Sequence, residues 1–423
     1  MTTTTTAGSI AGSDFRRWWA GVTVSAFGTA VSSIAIPLAA VLTLHASTFE
    51  VGLIAAAGTV SWLLFGLHAG VWVENLRRRP VLIGCDLLRA GLLLSIPVAA
   101  FAGVLTLAQL VAVAFGMGLV TVVYGVARQA YVPFLVGREQ LVAANGRIES
   151  TQSAASAAGQ LLGGVIVTAI GAATAVLIDV FSYVVAVVSM TSVQARESAP
   201  VPPDPGSGTW QRLVEGLRYV LSDPLIRVLA ATAAIINFTD AAFTALLAPY
   251  LVHELHGGAV VVGVVMAVAQ AGAVGGAALS DRVVRTAGPV RALYATVVLL
   301  PVCALLLPLP LPGPFGFAAV AIGLTTTSGL AAVAGIIMRS YRQAAVPAGL
   351  LARVSGSIRF LTWGVMPLGA LAGGALGSAL GDRAALWIAC GLFLTCGLPL
   401  VFAAATGGES FRDGLRALSE PTP

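Results

Sequence analysis

Long apolar runs, most of them near the roughly 20 residues that cross a bilayer as helix, alternate along this chain with short polar breaks. The sharpest break is Glu74-Asn75-Leu76-Arg77-Arg78-Arg79, where one apolar run ends at about Val73 and the next begins at Val81. Three adjacent arginines cannot rest in hydrocarbon, so they mark a short loop that the positive-inside bias holds on the cytoplasmic face. That loop sets the direction of every other run. Phe15-Arg16-Arg17-Trp18-Trp19 is a basic-aromatic collar of the interfacial kind, and a first span leaves it outward to about Leu44. Further spans are expected at about 51–73, 81–104, 107–126, 149–170 and 173–193. The polar, proline-rich stretch 197–208 cannot span, and Trp210 to Leu221 reads as an amphipathic helix on the membrane surface. Six more spans are expected at about 225–252, 259–279, 290–311, 314–337, 354–380 and 384–405.

The pattern divides the chain into a cytoplasmic tail (1–14), a six-helix lobe (15–196), a cytoplasmic linker with its surface helix (197–222), a second six-helix lobe (223–405) and a second tail (406–423). Residues 1–14 are rich in threonine and glycine and lack a basic stretch before the first apolar run, so they read as a disordered tail rather than a cleaved signal. Composition agrees with the pattern. Of 423 residues 57% are hydrophobic and 10% charged, with a mean hydropathy of +0.93, which places the chain among integral membrane proteins. A net charge of +5 would suggest nucleic acid in a soluble protein, but here the arginines lie at helix ends and no nucleic-acid partner is expected. All 23 basic residues are arginine. Without lysine there is neither a P-loop for ATP nor a Schiff base. Arg383 is the single clearly external basic residue, leaving 22 inside or at the inner boundary. That bias predicts a multi-pass protein of the plasma (inner) membrane with both termini cytoplasmic. Cys85, Cys303, Cys390 and Cys396 sit in apolar runs without metal or redox spacing and read as packing residues. His253-Glu254-Leu255-His256 reads as a polar helix end rather than a metal grip, and no metal or cofactor is expected.

The two halves repeat. Arg128-Gln-Ala-Tyr-Val-Pro133 returns as Arg342-Gln-Ala-Ala-Val-Pro347, and Gly159-Gln160-Leu-Leu-Gly163-Gly164 as Gly369-Ala-Leu-Ala-Gly373-Gly374. Gly146-Arg-Ile148 answers Gly356-Ser-Ile358, and Glu74 and Asp281 fall in equivalent loops. A parallel duplication of six helices predicts two pseudosymmetric lobes with a pathway between them. Gly66/Gly70, Gly159/Gly163, Gly272/Gly276 and Gly369/Gly373/Gly377 supply small faces on which helices pack and slide.

These features together resemble the major facilitator superfamily over about residues 14–405, and within it the branch that includes the enterobactin exporter and macrolide efflux proteins. The resemblance is carried by the loop Gly70 to Arg79, by Asp86-Leu-Leu-Arg89, by Arg128 to Pro133, by Ala144 to Glu149 and by Gly349 to Gly374. It implies an all-α membrane protein of twelve transmembrane helices. It also implies secondary active transport, with Glu74, Arg78, Asp86 and Arg128 in a cytoplasmic gate network. Gly70, Arg89, Asp281 and Arg282 are the further gate candidates. Two departures stand out. Glu74-Asn75 replaces the Asp-Arg pair usual in the loop, and Gly159-Gln160 replaces the Gly-Pro of the exporter pattern.

A charge buried in a bilayer costs several kcal/mol, so intramembrane carboxylates are functional candidates. Asp240 lies 13 residues from both Arg227 and His253, about 20 Å along the helix from each and hence near mid-membrane. It is the leading candidate to take up a proton from outside and release it inward; Asp179 is the second. Polar side chains expected to line the cavity are Ser25, Thr29, Ser32, Thr121, Tyr124, Asn237, Thr325, Thr326 and Ser328. With no basic residue expected at mid-depth, a neutral or cationic amphipath suits this cavity better than a free anion. The sequence thus predicts a monomeric, proton-coupled exporter of a small amphipathic molecule such as an antibiotic, macrolide or siderophore. Proton-coupled uptake is the alternative that Gln160 keeps open. A membrane-embedded enzyme or a non-transporting sensor is remote, since no catalytic motif and no signalling tail is found.

Overall fold

The computed structural model describes residues 12–65, 76–136, 141–195, 209–406 and 411. Gly70, Glu74, the 197–208 linker and nearly all of both tails lie outside the described residues. The described chain is helical throughout, and its residues form two compact units: 1–45 with 64–204, and 46–63 with 205–423.

In the first unit α1 (Ser13–Leu38), α3 (Arg78–Phe101), α4 (Leu107–Val136), α5 (Leu141–Ile170) and α6 (Ala172–Thr191) pack together. Their polar end is fixed by a core of Phe15, Trp18, Leu82, Tyr131 and Leu135. The collar expected around Phe15–Trp19 is thus built inward: Phe15 and Trp18 are buried, while Asp14 accepts from the Gln194 and Ala195 amides. Arg17 donates to the Ser192 carbonyl and Arg79 to that of Thr191, each at 2.8 Å. Those carbonyls have no partner within α6, so two arginines close the helix end and complement its dipole.

The second unit contains α2 (Thr48–Phe65, of which 48–63 belong here), the short α7 (Thr209–Ser222) and α8 (Pro224–Pro249). It continues through α9 (Ala259–Ala287), α10 (Pro289–Ala304), α11 (Gly313–Ala345), α12 (Ala348–Trp363), α13 (Met366–Leu380), α14 (Asp382–Phe393) and α15 (Leu398–Thr406). Two of these helix starts have a clear local cause. α2 opens on a reciprocal cap, with the Ser47 amide 2.7 Å from Glu50 Oε2 and the Glu50 amide 3.4 Å from Ser47 Oγ. α8 opens on Asp223-Pro224, where the carboxylate accepts from the Ile226 amide and proline sits at the first helical position.

Among the described residues eleven helices are long and apolar enough to cross a membrane. The ninth expected span, 290–311, is instead a 16-residue apolar helix, Pro289–Ala304, because the chain turns out of helix from Leu305. Phe101, Phe181, Phe315 and Phe402 are each about two-thirds exposed or more, as side chains facing lipid tails would be.

The duplication extends to backbone detail that no sequence identity marks. α1 and α8 each loosen into a π-turn, at Ala39–Thr43 and Tyr250–Glu254. Each turn is followed by a histidine in the left-handed region, His45 (φ 52°) and His256 (φ 55°). Gly171 and Gly381, at φ 84° and 87° with ψ near 150°, start α6 and α14 in a conformation that only glycine adopts readily. The glycine repeat does the same job twice. A Cβ on Gly159 would lie 2.5 Å from the Phe27 carbonyl oxygen, and one on Gly369 would overlap the Phe238 carbonyl. Gly163 rests on Val31 and Gly373 on Ala242, so α5 crosses α1 as α13 crosses α8. Gly164 and Gly374 are buried beside them, the latter against Gly52 and Thr48 of α2.

Candidate functional site

The first unit encloses a charged cluster. Asp86 and Arg89 sit one turn apart on α3 and are 4% and 6% exposed, with Arg89 Nη1 3.5 Å from Asp86 Oδ1. The guanidinium also donates to Thr121 Oγ1 at 3.2 Å and lies over the Tyr124 ring at 4.3 Å. On its other side is Tyr183 of α6, 5.5 Å from the guanidinium carbon. The Tyr183 hydroxyl is 3.0 Å from Thr29 Oγ1, which reaches Asp179 Oδ1 at 3.4 Å. Ser182 donates to the same Oδ1 at 3.0 Å, while Ser32 is turned toward the carboxylate without hydrogen-bond geometry. Asp179 is wholly buried and its Oδ2 has no hydrogen-bond partner. Arg89 lies within electrostatic range of both carboxylates. Gly28 permits the approach of α6 to α1, since a Cβ there would stand 2.7 Å from Asp179 Oδ1.

Asp240 has a different setting. It lies midway along α8 with its side chain uncovered by the described residues, and none of them pairs with its carboxylate. Its polar neighbours are spent on the backbone: Asn237 donates to the Ala233 carbonyl at 2.7 Å and Thr239 to that of Ile235 at 2.8 Å. The repeat sets Thr29 and Asp240 at matching positions of α1 and α8, by the same offset that relates His45 to His256.

Other expected residues fall elsewhere. Ser25 is half-buried on α1. On α11, Thr325 and Thr326 bond to the Ala321 and Ile322 carbonyls, and the Thr325 backbone is where Gly272 of α9 crosses; Ser328 is half-buried nearby. The gate candidates do not form one network among the described residues. Asp86 and Arg89 pair inside the first unit, and neither Arg78 nor Arg128 joins them in an ion pair. Asp281 pairs with Arg285, not with Arg282, at 2.8 Å. Helical geometry explains the first result: eight residues past Arg78, Asp86 stands about two turns up α3 from the arginine loop, on the side where α6 packs. At the far end of α2, Thr48 donates to the buried Asp382 at 2.6 Å, and the Phe49 amide donates to Ser378 Oγ at 2.7 Å. Glu254 accepts from the Arg383 amide at 2.8 Å, so the His253–His256 stretch is tied to the start of α14.

Sequence reasoning missed Ser182 and Tyr183, whose signal is their i+3 and i+4 spacing from Asp179. It also missed a cationic-aromatic cluster in the second unit. Trp62 and Trp363 meet edge to face at 4.7 Å, with the Arg359 guanidinium 6.0 and 5.1 Å from their rings. Arg359 lies within a membrane-spanning segment, Val354–Leu380.

With this fold described, comparison with known proteins is informative. A family model described as "transmembrane secretion effector" matches residues 4–413, nearly the entire chain. The chain belongs to that family. Comparison with curated protein sequences finds no match. Among solved structures, a mutant of the nucleoside transporter NupG superposes with a TM-score of 0.75 at 12% identity, over 92% of this chain and 98% of that one. A bacterial homolog of the human lysosomal transporter Spinster gives 0.71 at 15%, over 97% and 99%. A bacterial homologue of the iron transporter ferroportin, inward-facing, gives 0.72 at 14%, over 92% and 98%. At such identities the likeness establishes the fold, that of major facilitator transporters, and leaves cargo open. This transmembrane secretion effector family member is a multi-pass membrane protein of the secondary-transporter class.

Proposed function

We propose that the chain is a proton-coupled exporter of a small amphipathic molecule, such as an antibiotic, macrolide or siderophore, working by alternating access in the plasma membrane with both termini cytoplasmic. One observation supports coupling above all others: two buried carboxylates, Asp86 and Asp179, share a single guanidinium, Arg89. In a low-dielectric interior Arg89 offsets one negative charge, and a proton on the other carboxylate completes the balance. Proton arrival and departure then change the net charge between α1, α3 and α6. Those helices also carry Thr29 and Ser32, or lie beside Tyr124 of α4, so a change there is felt by residues proposed to meet substrate. Asp240 complements the cluster as a carboxylate that no described residue pairs with, suited to exchanging a proton or to meeting substrate.

Uptake remains a second reading because of Gln160, whose buried Oε1 lacks a hydrogen-bond partner where exporters carry proline. Accumulation of a panel of fluorescent amphipaths in efflux-deficient cells separates the two. Export predicts lower accumulation with the wild type, abolished by a protonophore and by Asp179→Asn. Higher accumulation with the wild type would establish uptake instead.

A further inference from the structure

Arg359 stands in a spanning helix, and among the described residues no carboxylate pairs with it. Its neighbours make the imbalance larger: Arg342 and Arg339 of α11 lie within electrostatic range of it and of each other. None of the three forms an ion pair with a carboxylate among the described residues, and Arg342 Nε is buried without a hydrogen-bond partner. Three like charges close together repel, and a guanidinium inside a membrane segment is retained where an anion answers it. Among the described residues no carboxylate answers these charges. The fold supplies instead two indole faces, Trp62 and Trp363, against which Arg359 is held at cation–π distance. Trp363 ends α12 at the break before α13, and Trp62 is on α2, so the rings converge from two helices onto one guanidinium.

We propose that Arg359, with Trp62 and Trp363, forms a subsite for a planar organic anion, its carboxylate, sulfonate or phosphate meeting Arg359 and Arg342 and its ring system packing on the indoles. This deepens the transporter reading and rests on it, and it replaces the expectation of a neutral or cationic cargo. Anion recognition by guanidinium is charge-assisted and directional, and an aromatic wall adds apolar area that a small inorganic anion cannot use. The headgroup of an acidic phospholipid offers the same anionic chemistry, so the source of the anion has to be separated experimentally.

The test is calorimetric binding of three matched probes, 2-naphthoate, 2-naphthamide and 2-naphthylmethylammonium, to the full chain in phosphatidylcholine nanodiscs. Naphthoate should bind the wild type most tightly. Arg359→Gln should weaken naphthoate by roughly tenfold to hundredfold, the scale of a lost charged hydrogen bond, while leaving naphthamide nearly unchanged. Trp363→Phe should weaken both. Unchanged thermal unfolding of Arg359→Gln keeps the comparison valid, and Arg359→Lys, which retains charge, should restore part of the affinity. Equal affinity for the three probes, or naphthoate binding indifferent to Arg359→Gln, would overturn the subsite. Loss of naphthoate binding in phosphatidylglycerol nanodiscs would assign the arginines to lipid and overturn it equally. None of these results depends on a proton gradient. Failure of the export reading would show separately, as the absence of proton movement with any probe.

Discussion

Arg89 is the residue on which the first unit's electrostatics depend. Removing it as Arg89→Gln leaves Asp86 and Asp179 buried without a cation, a loss on the scale of about 3–5 kcal/mol for a broken buried pair. The expected outcome is a large drop in thermal stability of the purified protein, partly restored in Asp86→Asn/Arg89→Gln, where the charges leave together. If the single variant unfolds like the wild type, the cluster is water-filled and the charge-balance argument fails. The sequence placed Asp86 and Arg89 side by side through their spacing of three, and it marked Asp179 and Asp240 as intramembrane carboxylates. It did not bring Asp179 to Arg89, because that meeting depends on which face of α6 turns toward α1 and α3. Gly21 and Gly28 leave the room this approach needs, and lone glycines in an apolar run give no such sign. Arg359 was hidden for the opposite reason: an arginine near the inner end of a span looks like one more positive-inside charge.

Single elements are positioned by glycine and by caps, and both can be tested. Gly272 of α9 lies so close to the Thr325 backbone of α11 that an added Cβ has no room, whereas Gly91 of α3 has nothing within 4 Å. Gly272→Leu should therefore lower stability by about 1–3 kcal/mol or prevent folding, and Gly91→Ala should be neutral or gain up to about 1 kcal/mol. Size-exclusion profiles and thermal unfolding in detergent would check the contrast. Thr48→Val removes the hydroxyl that satisfies Asp382 and should cost about 1–3 kcal/mol, since it leaves a buried carboxylate short of a donor. Thr48→Ser should be nearly silent. The repeat of glycine pairs was legible at this scale, and their packing on α1 and α8 follows it. The π-turns ahead of His45 and His256 were not, because hydropathy carries no record of how tightly a helix is wound.

At the scale of the whole molecule, charge bias and duplication carry most of the reading. The chain's all-helical membrane fold was plain from its apolar runs, but the ninth span stops short, as Leu305 to Pro310 leave the helix with two prolines at 308 and 310. The packing of Ala46–Leu63 with residues 205–423 could not be read from order along the chain. It arises where Gly52 of α2 meets Gly374 of α13, a pairing between distant glycines. The proposed orientation predicts that green fluorescent protein fused after Pro423 will fluoresce and that alkaline phosphatase fused there will be inactive; the reverse pattern would place the C-terminus outside.

Proton coupling through the buried cluster is tested most directly in everted membrane vesicles carrying a respiration-driven pH gradient, followed with a quenched acridine dye. Adding a transported amphipath to wild-type vesicles should release protons and restore fluorescence, and Asp179→Asn vesicles with equal protein content should not respond. A response of Asp179→Asn equal to that of the wild type would remove the cluster from the coupling path and contradict the account.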